Sequence, residues 1–371
     1  MAQVAEMGKL HKVTIGEVAR EAGVSKQTVS RVLNDRPDVA PKTRKRVREV
    51  MDRLDYQPSQ LAQSLSRRRS YTLGVVTAGL QYIGPSRTLY GITQEAEERG
   101  YAILLKELPG FQVQDFEPII RSLLARHVDG IIWTVPEVGD NMAWILEHRT
   151  ELPVPLLTLS TEAQPGSASV IIDNYLGAFR ASQHLLDQGY RRIGHIAGPL
   201  DWWAARQRLA GWKDCLLEVG VAVDEQHRAE GNWSSASGEQ AIRALLESYP
   251  DMDAVFVAND QMAISVYKVA SEWSIKIPAD LGLVGFDGIP EVAHLCPPLS
   301  TVWQDQPTHG RMGVSELVDL IETVKKGGDL PESRTVVLQP ELIVRESSLY
   351  PGTLFGPTSP LEVADDVTLV R

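Results

Sequence analysis

Residues 16–34 read "GEVAREAGVSKQTVSRVLN", and the reading of this stretch fixes the front of the fold. Just ahead of it, Thr14 and Glu17 have the spacing of a capping box, with Thr14 as N-cap and Glu17 reaching back. Val13 and Val18 stand at the N′ and N4 positions of a hydrophobic staple. Ile15, Val18, Ala19 and Ala22 fall on one face of a short helix, which Gly23 stops. Ser25 is a fresh N-cap, and the helix it opens buries Val29, Val32 and Leu33. Two short helices around a glycine-containing turn make a helix-turn-helix pattern.

A third helix starts at Pro41, a favoured first helical position. Val47, Val50, Met51 and Leu54 line one face of it, and Lys42, Arg44, Lys45, Arg46 and Arg48 line the other. Charge is unevenly spread along the chain. Residues 1–70 hold 15 Lys and Arg against 8 Asp and Glu, so this head carries +7 and the remaining 301 residues −18 of the formal −11. A basic head can neutralise phosphates, while an acidic body avoids gripping them indiscriminately. Lys42, Thr43 and Arg44 are the candidate backbone contacts at the start of the third helix. Lys26, Gln27, Thr28 and Arg31 are not needed by the core of the second helix. Its first turn is where a recognition helix enters the major groove, and Gln, Arg and Lys suit the edges of adenine and guanine.

After Tyr56 comes "QPSQLAQSLSRRRS". Pro58 stops the preceding helix, and Leu61, Ala62 and Leu65 line a second helix too short to be stable alone. The expected division is therefore 1–57, a helix-turn-helix domain; 58–70, a hinge helix and linker; 71–346, the body; and 347–371, a tail broken by Pro and Gly and expected to lack structure. The tail has no apolar heptads, which argues against assembly through a coiled coil.

From Tyr71 the rhythm becomes strand, helix, strand, helix. "YTLGVVTAG", "YAILLKEL", "VDGIIWTV", "VPLLTLS", "SVIIDN", "RRIGHIAGP", "DAVFVAND" and "LGLVGFDG" read as strands. The alternation predicts α/β layers on parallel sheets. Some 275 residues exceed one comfortable core, so two lobes are expected. Polar residues gather just after the strand ends, where open α/β sheets hold ligands. Asn259, Asp260 and Asp287 stand there, with Trp202, Trp203, Arg206, Arg208 and Trp233 in the segments that follow other strands. Arg, Asp and Asn can bond several hydroxyls at once, and an indole covers the apolar face of a sugar. Trp212 is assigned to the core, as Trp133 and Trp144 also fit. Asp260 suits a helix N-cap as well as a ligand contact, and Arg208 and Asp287 each have a structural reading beside the functional one.

No catalytic or metal-binding constellation is present: no G-x-S-x-G, P-loop, G-x-G-x-x-G or H-E-x-x-H, and no histidine pair at metal spacing. An enzyme, a metal and a cofactor are not expected. Cys215 and Cys296 are too few for a disulfide framework and read as buried small apolar residues. The N-terminus lacks the apolar run of a signal peptide and no stretch approaches a membrane span, so a cytoplasmic protein is expected.

The segment "TIGEVAREAGVSKQTVSRVLN…KTRKRVREVMDRLDYQPSQLAQSLS" resembles the LacI/GalR family of bacterial transcription regulators, and so do "GPL…AR.RLAGW", "G.WS..SG", "VANDQMA" and "PPLSTV.QD" in the body. The resemblance covers residues 13 to about 346. It implies a helix-turn-helix head, a hinge helix and a two-lobed, type I periplasmic-binding-protein-like core joined by three crossovers. It further implies a homodimer on near-palindromic double-stranded operator DNA, responding to a small effector. Carried over by position, the base readers are Lys26, Gln27 and Arg31, and Leu65 is the minor-groove wedge. The effector contacts are Arg208, Trp233, Asn259 and Asp287, with Trp202 beside them. Thr158 and Gln306 depart from residues that a sugar-binding member places in its pocket, and Ala40 stands where the family often has a capping Ser or Thr. The function expected is a DNA-binding repressor controlled by a carbohydrate, a galactoside or another glycoside. The alternatives are a sugar-binding transport or sensory protein, and a regulator that uses a non-sugar effector or a corepressor.

Overall fold

Thr14 and Glu17 form the capping box in full: Glu17 N donates to Thr14 Oγ1 over 3.3 Å, and Thr14 N donates to Glu17 Oε2 over 2.7 Å. They start α1 (Ile15–Glu21), which the left-handed Gly23 (φ 61°) separates from α2 (Lys26–Leu33). Ser25 caps α2 by accepting from Thr28 N at 3.1 Å. In α3 (Pro41–Arg53), the cap position is Ala40, which offers no side-chain acceptor. Val18, Ala19, Ala22, Val29, Val32, Val39, Val47, Val50 and Met51 form the core of this three-helix unit, and Leu33 packs against it only partly buried.

The structure, a computed structural model, describes residues 13–56, 69–111, 116–162, 164, 166–328, 334–350 and 368–370. The expected hinge helix and Leu65 lie outside the described residues. The chain divides into two compact units, Met1–Tyr71 and Thr72–Arg371.

The second unit alternates strands and helices as β1 (Thr72–Ala78), α4 (Ile83–Glu98), β2 (Ala102–Leu108), α5 (Glu117–Leu124), β3 (Gly130–Trp133), α6 (Ala143–His148), β4 (Leu156–Leu159) and β5 (Ala168–Ile172). It continues with α7 (Asn174–Gln188), β6 (Ile193–Ala197), α8 (Trp203–Glu218), β7 (Arg228–Glu230), α9 (Ser235–Ser248), β8 (Ala254–Val257), α10 (Asp260–Glu272), β9 (Gly282–Asp287) and β10 (Ser300–Trp303). The last elements are α11 (Gln306–Lys325), β11 (Arg334–Leu338), β12 (Glu341–Ile343) and β13 (Thr368–Val370). Two sheets result, ordered β13-β11-β5-β4-β3-β1-β2 and β12-β10-β9-β8-β6-β7. Their described pairs are parallel except β10 with β12 and β11 with β13. The chain passes from one lobe to the other from β5 to α7, from β10 to α11 and from β11 to β12, and β13 lies back in the first sheet.

Burial follows the strand period of two. In β8, Ala254 and Phe256 face a core with Trp212 of α8 and Leu185 of α7, while Val255 and Val257 face a second core with Ile242 of α9 and Val266 of α10. A strand covered on both faces is apolar throughout, as parallel sheets require. Trp133 and Trp212 are fully buried, and Trp144 is partly buried against the first lobe's core. In that lobe α4 and α11 cross closely. A Cβ on Gly91 would come within 2.0 Å of Pro307 O, so only glycine fits.

Two expectations fail here. Cys215 is buried but Cys296 is exposed, because it sits in a loop of the second lobe rather than on a helix face. The expectation that 347–371 lacks structure fails at both ends. Ser347 Oγ donates to Leu283 O at 2.7 Å, and Ser348 Oγ meets Ser300 Oγ at 2.7 Å, both buried at the edge of the second lobe. Thr368–Val370 pairs antiparallel with Thr335–Val337. Small hydroxyls and backbone pairing order these pieces, and neither leaves an apolar period in the sequence.

Candidate functional site

In the first unit, Lys26, Gln27 and Arg31 of α2 are exposed and Thr28 is half-buried. Lys26 lies over the start of α1, since a Cβ on Gly16 would touch its Cε at 3.1 Å. Arg31 pairs with Asp38 at 3.3 Å, with both side chains about half exposed. At the start of α3, Lys42 is exposed, while Thr43 and Arg44 are half-buried. Arg44 already has partners: Asp35 Oδ1 at 3.1 Å and the carbonyl of Arg36 at 2.5 Å. Arg48 shares the same Asp35 oxygen at 2.8 Å. The basic face is thus partly neutralised from within, while Lys42, Lys45 and Arg46 stay exposed on it.

In the second unit, one cavity opens between the lobes and brings together all six expected effector contacts: Trp202, Arg208, Trp233, Asn259, Asp287 and Gln306. Its lining comes from segments that follow strand C-termini in both sheets, the position that strand–helix alternation predicts. Arg208 projects from α8 and is buried. Its Nε donates to Asn174 Oδ1 at 2.9 Å, its Nη1 donates to the Ala258 carbonyl, and its guanidinium lies 3.8 Å over the Phe286 ring. Nη1 stands 3.6 Å from Asp287 Oδ1. Burial pulls the Arg208 guanidinium down to about 10, with Asp287 opposing. Burial pushes the Asp287 carboxyl up, with Arg208 and a 2.7 Å hydrogen bond from Gln304 Nε2 opposing. Asp287 has φ 109° and Trp233 φ 71°, uncommon values for non-glycine residues that cluster at functional sites.

Trp233 is buried with its ring against Gly198, where a Cβ would come within 2.1 Å of it. Its Nε1 has no hydrogen-bond partner. Asn259 lines the cavity, but both ends of its amide serve the fold: Oδ1 caps α10 by accepting from Met262 N, and Nδ2 donates to Trp233 O. Asp260 is therefore not the cap. It is fully buried, and its two oxygens accept from Thr301 Oγ1 at 2.7 Å and from Ile289 N at 2.9 Å, which fastens the turn that carries Asp287. Gln306 accepts from Thr88 Oγ1 at 2.6 Å across the α4–α11 contact.

Thr158 is misplaced by the sequence comparison. It lines a different cavity beside Glu162 and Arg149, while Ser160, just past the end of β4, lines the main one. Asn174, Gln304, Glu137 and Tyr82 also line the main cavity and were not singled out. Asn174 and Gln304 end the quoted strand "SVIIDN" and follow β10, so the strand-end rule could have found them. Among the described residues no group of three or more His, Cys, Asp and Glu is placed to hold a metal ion, and no helix is long and apolar enough to cross a membrane.

The lactose operon repressor of Escherichia coli (strain K12) is 33% identical to the chain over 357 residues, 96% of this chain and 95% of that relative. The chain belongs to the lacI family of bacterial regulatory proteins. The family model matches residues 14–59, and a model described as a periplasmic binding protein-like domain matches residues 182–348. The HTH-type transcriptional regulator CelR of Thermobifida fusca is 33% identical to this lacI-family chain, over 92% of it and 100% of CelR. Among solved structures, a lac repressor dimer bound to operator and the anti-inducer ONPF superposes with a TM-score of 0.79 at 32% identity, covering 91% of this chain and 99% of that one. A CelR–cellobiose complex gives 0.66 at 31% identity, covering 90% and 99%. The lacI-family chain thus carries the helix-turn-helix domain and the two-sheet core expected from its motifs.

Proposed function

We propose that this lacI-family chain is a cytoplasmic transcriptional repressor whose hold on operator DNA is controlled by a small carbohydrate in the interlobe cavity. One observation carries the proposal. Arg208, Asp287, Trp202 and Trp233 converge on one cavity, in a chain whose other unit is a helix-turn-helix domain. Asp287 accepts from sugar hydroxyls, Arg208 donates to them, and the indoles cover the C–H face. Two copies of the head read the halves of a near-palindrome. Lys26, Gln27, Thr28 and Arg31 face the bases, and Lys42, Thr43 and Arg44 the backbone. No chemical step is involved; the sugar leaves unchanged.

Control requires that the sugar prefer one of two arrangements of the protein, since equal affinity for both would shift nothing. An inducer favours the arrangement that releases DNA. The test is fluorescence anisotropy of the full-length protein on DNA from upstream of its own and neighbouring genes, with and without a panel of sugars. Sequence-selective binding that a sugar weakens is expected. Sugar binding with no selective DNA binding would favour a transport or sensory protein. A sugar that tightens the complex would make it a corepressor, and recovery of altered sugar would indicate an enzyme.

A further inference from the structure

We propose that the outer edge of β11 is a strand-docking surface reserved for residues 368–370 of the same chain, and that their seat there keeps dimers from joining edge to edge through β11 of a second copy. The inference goes beyond the effector-controlled function and does not rest on it.

The backbone of β11 alternates in direction, and this shows which of its groups need a partner. Arg334 N donates to Ser167 O at 3.1 Å, and Asp173 N donates to Leu338 O at 3.0 Å. Arg334, Val336 and Leu338 therefore turn their amides and carbonyls toward β5. Thr335 and Val337 turn theirs the other way, toward Val370 and Thr368, which stand opposite them in the antiparallel β13. Without β13 these groups would form an open row of donors and acceptors, which is a template for another strand. The run Thr335-Val336-Val337-Leu338 is β-branched or apolar throughout, with no charge or proline to repel one. The other sheet edges among the described residues are guarded differently. β7 and β12 have three residues each, and β7 carries Arg228 and Glu230. β2 carries Lys106 and Glu107.

A second β11 fits that row. Paired antiparallel about Val336, Thr335 of one copy faces Val337 of the other, so outward groups meet outward groups, and Arg334 faces Leu338 instead of another arginine. Such a contact is its own two-fold mate and closes on itself. Arg334 is moreover paired within its own lobe with Glu316 and Asp319. Residues 368–370 have the prior claim because they share the chain, which raises their local concentration at the edge above that of a second copy. Clamping the lobes is not their role. Ser347 and Ser348 fasten the preceding segment to the second lobe, and Tyr350 N donates to Gln188 Oε1 at 3.3 Å. The length of chain from 351 to 367 can span about 60 Å, so the lobes can shift with β13 in place.

The test is sedimentation velocity of the full chain from about 1 to about 100 µM, wild type beside the double variant Thr368→Pro/Val370→Pro, which removes both β13 donors. Wild type is expected to hold one dimeric size, while the double variant grows into larger species as concentration rises. At the lowest concentration, hydrogen exchange at the Thr335 and Val337 amides should run at least ~10-fold faster in the double variant, with thermal melts showing that it is folded. Adding Val337→Pro, which strips a donor from the β11 edge, should return it to the dimeric size. A double variant that stays dimeric throughout, or Thr335 and Val337 amides that exchange at the wild-type rate, overturns the proposal. Assembly that survives Val337→Pro also overturns it, because another surface then carries the contact. So do larger wild-type species that the double variant loses, because β13 then joins copies instead of keeping them apart.

Discussion

Arg208 Nη1 and Asp287 Oδ1 stand 3.6 Å apart on the cavity floor, with side chains only 7% and 18% exposed. Removing two such charges from water costs more than their attraction returns unless other partners complete the site. Asn174, the Ala258 carbonyl and Gln304 supply those partners. The pair contributes little net stability, and its value lies in the hydrogen-bonding capacity it holds ready between the lobes.

Arg208→Ala is therefore expected to abolish the sugar response while the folded variant still binds operator. It leaves Asp287 as a buried carboxylate without its cation, so a stability loss of about 3–5 kcal/mol accompanies it. Anisotropy titrations with and without sugar, beside a denaturant melt, check both. A response that persists would place the effector elsewhere.

Lys42 and Gln27 should differ in kind. Lys42→Ala removes an exposed cation with no sequence information, so affinity should fall on all DNA alike and the salt slope should drop by about 1. Gln27→Ala should instead relax preference at one operator position by about 1–3 kcal/mol. A Lys42 effect confined to one sequence, or an unaltered preference profile for the Gln27 variant, contradicts these roles.

Local signals were legible in the sequence. The Thr14–Glu17 box and the Ser25 cap need only neighbours three residues away, and the apolar periods of α1 to α3 name their own core. The cavity was legible in residue type, because Arg208, Asp287 and Trp233 follow strand ends. What sequence does not hold is long-range fit. Asn174 is an ordinary amide until Arg208, 34 residues on, donates to it. Asn259 looks like a ligand contact, yet both ends of its side chain are spent on Met262 and Trp233. Thr158 and Ser160 differ by two positions along a strand end, an offset that residue type cannot resolve.

Ala40 occupies the N-cap of α3 without a side-chain acceptor, and Pro41 follows at the first helical position. Ala40→Ser supplies an oxygen for a free backbone N–H of the first turn. The head should gain about 0.5–2 kcal/mol, read as a higher midpoint in the first transition of a denaturant titration. An unchanged or lower midpoint would show that the Ala40 backbone cannot present the hydroxyl to that turn.

Asp260 gives the body a pH dependence whose sign is fixed by its surroundings. Burial, and then the charge of Asp287, lift its carboxyl to about 8, although hydrogen bonds from Thr301 and the backbone of Ile289 and Gly288 oppose the shift. The unfolded value is about 3.9. A folded value above the unfolded one means that the native state binds the proton more tightly, so the contribution is fully present below pH ~4 and is lost as pH rises through about 8. His195 and His309 act in the opposite sense: burial lowers them to about 3 and about 4, so their contribution is lost on acidification. The difference between wild type and Asp260→Asn isolates the carboxyl, because Asn keeps an acceptor for Ile289 N and cannot ionise. Melting temperatures from pH 5 to 9 should fall more steeply with pH in the wild type, and the two profiles should diverge toward the alkaline end. Parallel profiles would mean that Asp260 ionises freely in the native state, with the turn carrying Asp287 fastened by a charged carboxylate instead of a neutral one.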